Sequence, residues 1–121
     1  MEKNCGCTIL AGGKNSRMGG ENKAFLTING ITVLDRMVNK LEGIFNEIII
    51  VTNSPSEFEY LNRRCIITTD LIKNIGPLGG IYTALSITSK ESVFFFPCDM
   101  PYLNIELIKK QISFFIRYVK A

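Results

Sequence analysis

The sequence predicts an α/β domain: a mostly parallel sheet with helices on both faces, in three layers. Two observations carry that expectation. Four β-prone runs are nearly continuous in apolar residues rather than alternating, as strands covered on both faces are. Segments of helical periodicity separate them, so strand and helix alternate along the chain in the manner of βαβ units. No repeat, low-complexity tract or linker interrupts the pattern, and residues 1–121 read as one domain.

The first run is CTILA, from Cys7 to Ala11. Next comes ITVLDRMVNKLEGI, where Leu34, Met37, Val38 and Leu41 form a single apolar stripe ending near Gly43. The second run, EIIIVTN, covers Glu47 to Asn53. SPSEFEYLNR follows as a helix, with Ser54 as N-cap and Pro55 at its first position. CIITTD, Cys65 to Asp70, is the third strand. A helix is expected from about Leu78 in GPLGGIYTALSIT, once the glycines are passed, and SVFFFPCD, Ser92 to Asp99, is the fourth strand. The last segment, NIELIKKQISFFIRYVK, is a helix capped by Asn104 with Glu106 in its first turn. Ile105, Ile108, Ile112, Phe115, Ile116 and Val119 form its sheet-facing stripe. Leu107, Phe114 and Tyr118 form a second stripe that wants a cover, which suggests a homo-oligomer formed through this helix.

Composition narrows the chemistry. A net charge of +3 and the lack of any Lys/Arg-rich run argue against a nucleic-acid partner. No apolar stretch reaches the roughly 20 residues of a membrane span, and MEKNCGCTIL has no leader-like pattern, so a cytoplasmic, non-membrane protein is expected. Cys5, Cys7, Cys65 and Cys98 match no zinc spacing and read as buried, reduced thiols. There is no histidine, which excludes His-based triads and His-ligated metals. Carboxylates, lysine and backbone amides are left to do any chemistry.

Ligands of open α/β sheets collect beyond the carboxyl ends of the strands. Here the four runs end in Gly12-Gly13, Thr52-Asn53, Asp70 and Pro97-Cys98-Asp99. Gly12, Gly13, Gly19 and Gly20 would let the first loop approach a ligand and turn its N–H groups inward as an anion nest. Arg17 offers a bidentate fork to phosphate oxygens and Lys23 a compact charge. The alternative is a solvated glycine-rich turn, since the loop fits neither the P-loop nor the G-x-G-x-x-G pattern. Asp99 could hold Mg²⁺ together with nucleotide phosphates, or cap the turn before Pro101. Asn53 and Asp70 could contact the same ligand or serve as ordinary turn residues. Gly79 and Gly80 could receive a flat base or ribose, or permit close helix–sheet packing; spacing does not separate the two.

LAGGKNSRMGGENKA resembles the signature LAGG-x-S-x-RMG-x-x-K of the molybdenum cofactor guanylyltransferases, with one additional residue before Ser16. GPLGG and PCDMPYL follow in that family's order and at about its separations, so the likeness runs from about Cys7 to Leu103. The resemblance implies a Rossmann-like, glycosyltransferase-A-like nucleotidyltransferase that transfers GMP from Mg·GTP to molybdopterin, with release of pyrophosphate. It places nucleotide contacts on Leu10, Ala11, Gly12, Lys23, Asn53, Asp70 and Asp99, the last also serving Mg²⁺. Mechanistically, the attacking phosphate oxygen is already anionic and needs no general base. Catalysis would rest on Asp99, with Lys23 and Arg17 toward the departing pyrophosphate. Family members are longer than 121 residues, which suggests a C-terminally short, truncated member. Two other functions stay open: a sibling nucleotidyltransferase using CTP or a sugar phosphate acceptor, and a catalytically incomplete nucleotide-binding module.

Overall fold

The computed structural model describes residues 4–11, 17–18, 21–71, 77–98, 100 and 102–120, by backbone alone at 17, 18, 21–23, 77 and 113–120. In chain order the elements are β1 (Cys5–Leu10), β2 (Arg17–Met18), β3 (Glu21–Asn22), a 3₁₀ turn (Lys23–Phe25), β4 (Thr27–Ile28), β5 (Ile31–Thr32) and α1 (Val33–Leu41). There follow β6 (Ile48–Val51), a 3₁₀ helix (Pro55–Leu61), β7 (Ile66–Thr68), α2 (Pro77–Ile87), β8 (Ser92–Pro97) and α3 (Ile105–Lys120).

The main sheet has the order β7-β6-β1-β8, and every pairing in it is parallel. From β1 the chain steps outward to β6 and β7, then returns through α2 to place β8 on the other side of β1. Strand order therefore reverses between β1 and β8. That is the switch point at which α/β sheets receive ligands.

Side chains of successive strand residues point to opposite faces, so each apolar strand feeds two cores. Cys5, Cys7 and Ile9 of β1 join Ile48 and Ile50 of β6 and Phe96 of β8 on one face. Leu34, Met37, Val38 and Leu41 of α1, Phe58 and Leu61 of the 3₁₀ helix, and Ile108 and Ile112 of α3 close over them. On the other face Ile49, Val51, Leu10 and Phe95 pack with Ala84 of α2. Helices thus cover both faces, and the three-layer, parallel α/β expectation holds. Each fully buried aliphatic side chain contributes about 1.5–3 kcal/mol, so α1 is held by its stripe rather than by helix propensity.

Local signals also hold. The Thr32 hydroxyl accepts from the Asp35 N–H at 3.1 Å at the start of α1. Asn104 Oδ1 accepts from the Leu107 N–H at 3.0 Å, the cap expected for α3. Leu107 itself is exposed, and Ile108 and Ile112 are buried; the side chains of Phe114, Phe115, Ile116, Tyr118 and Val119 lie outside the described residues. All four cysteines are free and buried, and burial pushes the Cys7 and Cys65 thiols up, Cys65 to about 11. Among the described residues no helix is long and apolar enough to cross a membrane.

One local expectation is corrected, one is refined and one element is new. The segment after β6 is a 3₁₀ helix, and the Ser54 side chain does not cap it. Instead the Ser54 N–H donates to Thr52 Oγ1 at 3.0 Å, and the tighter 3₁₀ winding suits a seven-residue piece. Helix α2 begins at Pro77, one residue before the expected start at about Leu78, with Gly79 and Gly80 in its first turn. The β4–β5 hairpin was not expected at all. Its loop is Asn29-Gly30, both at positive φ (55° and 82°), the type I′ geometry that Asn-Gly favours.

Candidate functional site

The four main strands end level. Leu10 stands opposite both Val51 and Pro97, and Val51 opposite Thr68, so one row of partners crosses the sheet at its carboxyl edge. The ladder continues one step further, with Ala11 N–H donating to Val51 O at 2.8 Å and Thr52 N–H to Thr68 O at 2.9 Å. Gly12, Asn53, Asp70 and Asp99 each come two residues after that row. Four residues singled out by type thus share one offset from a straight edge. Gly12, Gly13 and Asp99 themselves lie outside the described residues.

Helix α2 starts over this edge. A Cβ on Gly80 would lie 2.7 Å from Leu10 Cδ2, and 3.7 Å from both Asp70 Oδ1 and Val51 Cγ1. Leu10, Val51, Asp70 and Gly80 therefore converge on one spot. Close helix–sheet packing accounts for Gly80, because a side chain there would displace Leu10. Thr83, one turn further along and fully buried, locks the arrangement. Its hydroxyl donates to the Gly79 carbonyl at 2.8 Å and accepts from the Leu71 N–H at 2.8 Å. Thr83 ties the loop that carries Asp70 to the first turn of α2.

The remaining candidates stand around this centre. The β2–β3 ladder sets Arg17 opposite Asn22, the neighbour of Lys23, so the backbone positions of the two cations are close in register. Directly after Lys23 the chain re-enters the core: Ala24 is fully buried and the Phe25 ring lies 5.1 Å from that of Phe58. Asn53 is exposed, on a turn whose start is fixed by the buried Thr52. The strand that leads to Asp99 is anchored by buried Cys98, and Leu103 beyond it is buried with its carbonyl accepting from Lys40 Nζ at 3.5 Å. Among the described residues the structure brings Leu10, Ala11, Asn53, Asp70, Gly79 and Gly80 to one edge. Sequence reasoning missed Thr83 and Thr52. A threonine four residues after Gly79, on the helix side that also carries Ala84, was the available signal.

The opposite end of the sheet is built differently. Glu47, at the start of β6, accepts from the hydroxyls of Thr88 and Ser89 and, at 3.2 Å, from the Ser89 N–H. Burial alone would raise its pKa, but these hydrogen bonds outweigh it and hold the carboxyl below the ordinary value. A cavity of about 290 Å³ opens at this end, lined by Asn46, Glu47, Arg63, Arg64, Lys90 and neighbouring residues. None of the candidate site residues lines it. The described candidate residues stand instead at the carboxyl edge, where Leu10, Val51, Asp70 and Gly80 converge.

Residues 7–117 match the family model described as the MobA-like NTP transferase domain. The chain belongs to that family. It is 45% identical over 101 residues to the "Probable molybdenum cofactor guanylyltransferase" of Peptoclostridium acidaminophilum, covering 84% of this chain and 44% of the relative. It is 38% identical over 105 residues to the molybdenum cofactor guanylyltransferase of Desulfosudis oleivorans, covering 87% of this chain and 51% of the relative. The chain spans about half the length of the curated relatives it matches. A cytidylyltransferase from Leptospira borgpetersenii superposes with a TM-score of 0.72 at 15% identity, over 96% of this chain and 50% of that one, a likeness of fold alone.

For this family member the donor chemistry at the edge suits a hard cation. No three His, Cys, Asp or Glu groups gather into a cage among the described residues. Mg²⁺ carried on nucleotide phosphates takes only one or two protein carboxylates. Asp70 stands at this edge, and Asp99 follows β8 on the far side of β1 in the strand order.

Proposed function

We propose that the chain binds GTP with Mg²⁺ at the carboxyl edge of its sheet, and that the protein it represents transfers GMP to molybdopterin and releases pyrophosphate. The observation that carries this reading is the level row Leu10–Val51–Thr68–Pro97, which gives Gly12, Asn53, Asp70 and Asp99 one common offset. The family membership and the names of the relatives support the choice of substrates.

In this reading the backbone of Leu10, Ala11, Gly12 and Gly13 lies along the triphosphate. Arg17 and Lys23 neutralise the phosphates and stabilise the charge that develops on pyrophosphate. Asn53, Asp70, Gly79 and Gly80 border the nucleoside. Asp99 would hold Mg²⁺, which supplies charge neutralisation across the phosphate oxygens when bound. The acceptor's phosphate is anionic at neutral pH, so positioning and charge do the work and no general base is required. A cytoplasmic location and a second copy against the exposed Leu107 face belong to the same proposal.

Thermal-shift titration with GTP, CTP, UTP and ATP, each with Mg²⁺, tests the nucleotide. A ligand present at 100 times its Kd stabilises by about 2.7 kcal/mol. GTP is expected to give the largest upward shift. A larger shift with CTP would redirect the reading to a sibling transferase. GTP binding without pyrophosphate release, when molybdopterin is supplied, would reduce it to a nucleotide-binding module.

A further inference from the structure

We propose that Thr83 is a positioning residue of the nucleotide site: its hydroxyl fixes the loop bearing Asp70 against the first turn of α2. The proposal rests on the reading of the carboxyl edge given above. Three observations place it there. The side chain is fully buried, yet both of its hydrogen bonds are made at the edge. One is the bond to its own helix, Thr83 Oγ1 to the Gly79 carbonyl at 2.8 Å, which α2 makes elsewhere without any tertiary consequence. Ser86 bonds back to the Tyr82 carbonyl at the same 2.8 Å on the exposed face. The other bond distinguishes Thr83: it accepts from the N–H of Leu71, the residue directly after Asp70.

The geometry leaves little slack. Asp70 Oδ1 lies 3.7 Å from the position a Gly80 Cβ would occupy, and Leu10 Cδ2 lies 2.7 Å from it. The loop, the helix turn and the end of β1 are therefore mutually in reach, and the Leu71–Thr83 bond connects the first two. Without the hydroxyl, the N–H of the exposed Leu71 loses the acceptor that ties it to α2 and turns to solvent, and loss of one such hydrogen bond favours local opening of the loop by up to about tenfold. The nucleotide would then have to order Asp70 as it binds, and its affinity falls by the same factor.

The test compares Thr83→Val, which keeps the shape and removes both bonds, with Thr83→Ser, which keeps them, and with Ser86→Ala as the control on the exposed face. Amide exchange at Leu71 and calorimetric titration with GTP and Mg²⁺ are read on each. The expected result is faster Leu71 exchange and about tenfold weaker binding in Thr83→Val, wild-type behaviour in Ser86→Ala, and recovery in Thr83→Ser. Circular dichroism identifies a Thr83→Val protein that fails to fold; Thr83→Ser binding tenfold more weakly than wild type then overturns the proposal. Wild-type affinity in a folded Thr83→Val overturns it while leaving the nucleotide site intact. Failure of the unmutated chain to bind any of the four nucleotides removes the underlying reading, and the proposal with it.

Discussion

The two ends of the sheet use the same residue types to opposite purposes. At the amino end a carboxylate, Glu47, is consumed by structure: it gathers the hydroxyls of Thr88 and Ser89 and a backbone N–H into one closed network. At the carboxyl end a neutral hydroxyl, that of Thr83, holds the equivalent loop, and the carboxylate of Asp70 is set beside it. An acid hydrogen-bonded on both oxygens stabilises the fold; an acid held next to a glycine-rich edge can meet a ligand. The cavity of about 290 Å³ lies beside Glu47, away from the candidate residues.

The sharpest way to break this contrast is to remove charge at the carboxyl end. Asp99→Ala and Lys23→Ala are each expected to lower GMP transfer by about 100-fold or more, measured as pyrophosphate release, with thermal midpoints unchanged. Glu47→Ala should do the reverse. It strands two hydroxyls and an N–H, and should cost about 1–3 kcal/mol in urea denaturation while leaving GTP affinity untouched.

The same carboxylate predicts a pH dependence. Its folded pKa lies below the ordinary value of 4.5, so its contribution is present above about pH 4.5 and is lost as pH falls through the depressed folded value. Glu47→Gln should flatten the acid limb of the stability curve; an unchanged acid limb would contradict the role given to Glu47.

A smaller effect is expected from Gly80→Ala. The new Cβ meets Leu10 Cδ2, the far end of a flexible side chain, so the fold adapts. Leu10 must move at the site, and GTP affinity should fall by about tenfold, the order of a lost packing or hydrogen-bond contact. The smallest effect belongs to Arg64→Ala. Arg64 pairs with Glu42 and lowers that carboxyl's pKa, but both side chains are more than a third exposed. Such pairs contribute about 0–1 kcal/mol, and less in high salt.

Much of the architecture was legible because its signals are local. Continuous apolar runs marked the buried strands, the Leu34–Leu41 stripe marked α1, and Asn104 marked the start of α3. Asn53 and Asp70 could be placed at an edge because each run ends in a turn residue. What the residues alone could not show was that the ends are level; that depends on parallel register between strands distant in the chain. Thr83 was hidden for the same reason, since its partner Leu71 is twelve residues away in the chain. The Asn29-Gly30 hairpin is a different case. Its signal was local and readable, but its two-residue strands are too short to stand out from the loop around them.

The central claim is that the nucleotide binds at the carboxyl edge and not in the cavity at the other end. Backbone chemical shifts followed during titration with GTP and Mg²⁺ test it directly. The largest changes should fall on the amides of Leu10, Ala11, Asn53, Asp70, Gly79 and Gly80, with Gly6, Glu47 and Ser89 unmoved. Changes centred instead on Glu47, Arg63 and Lys90 would contradict the account.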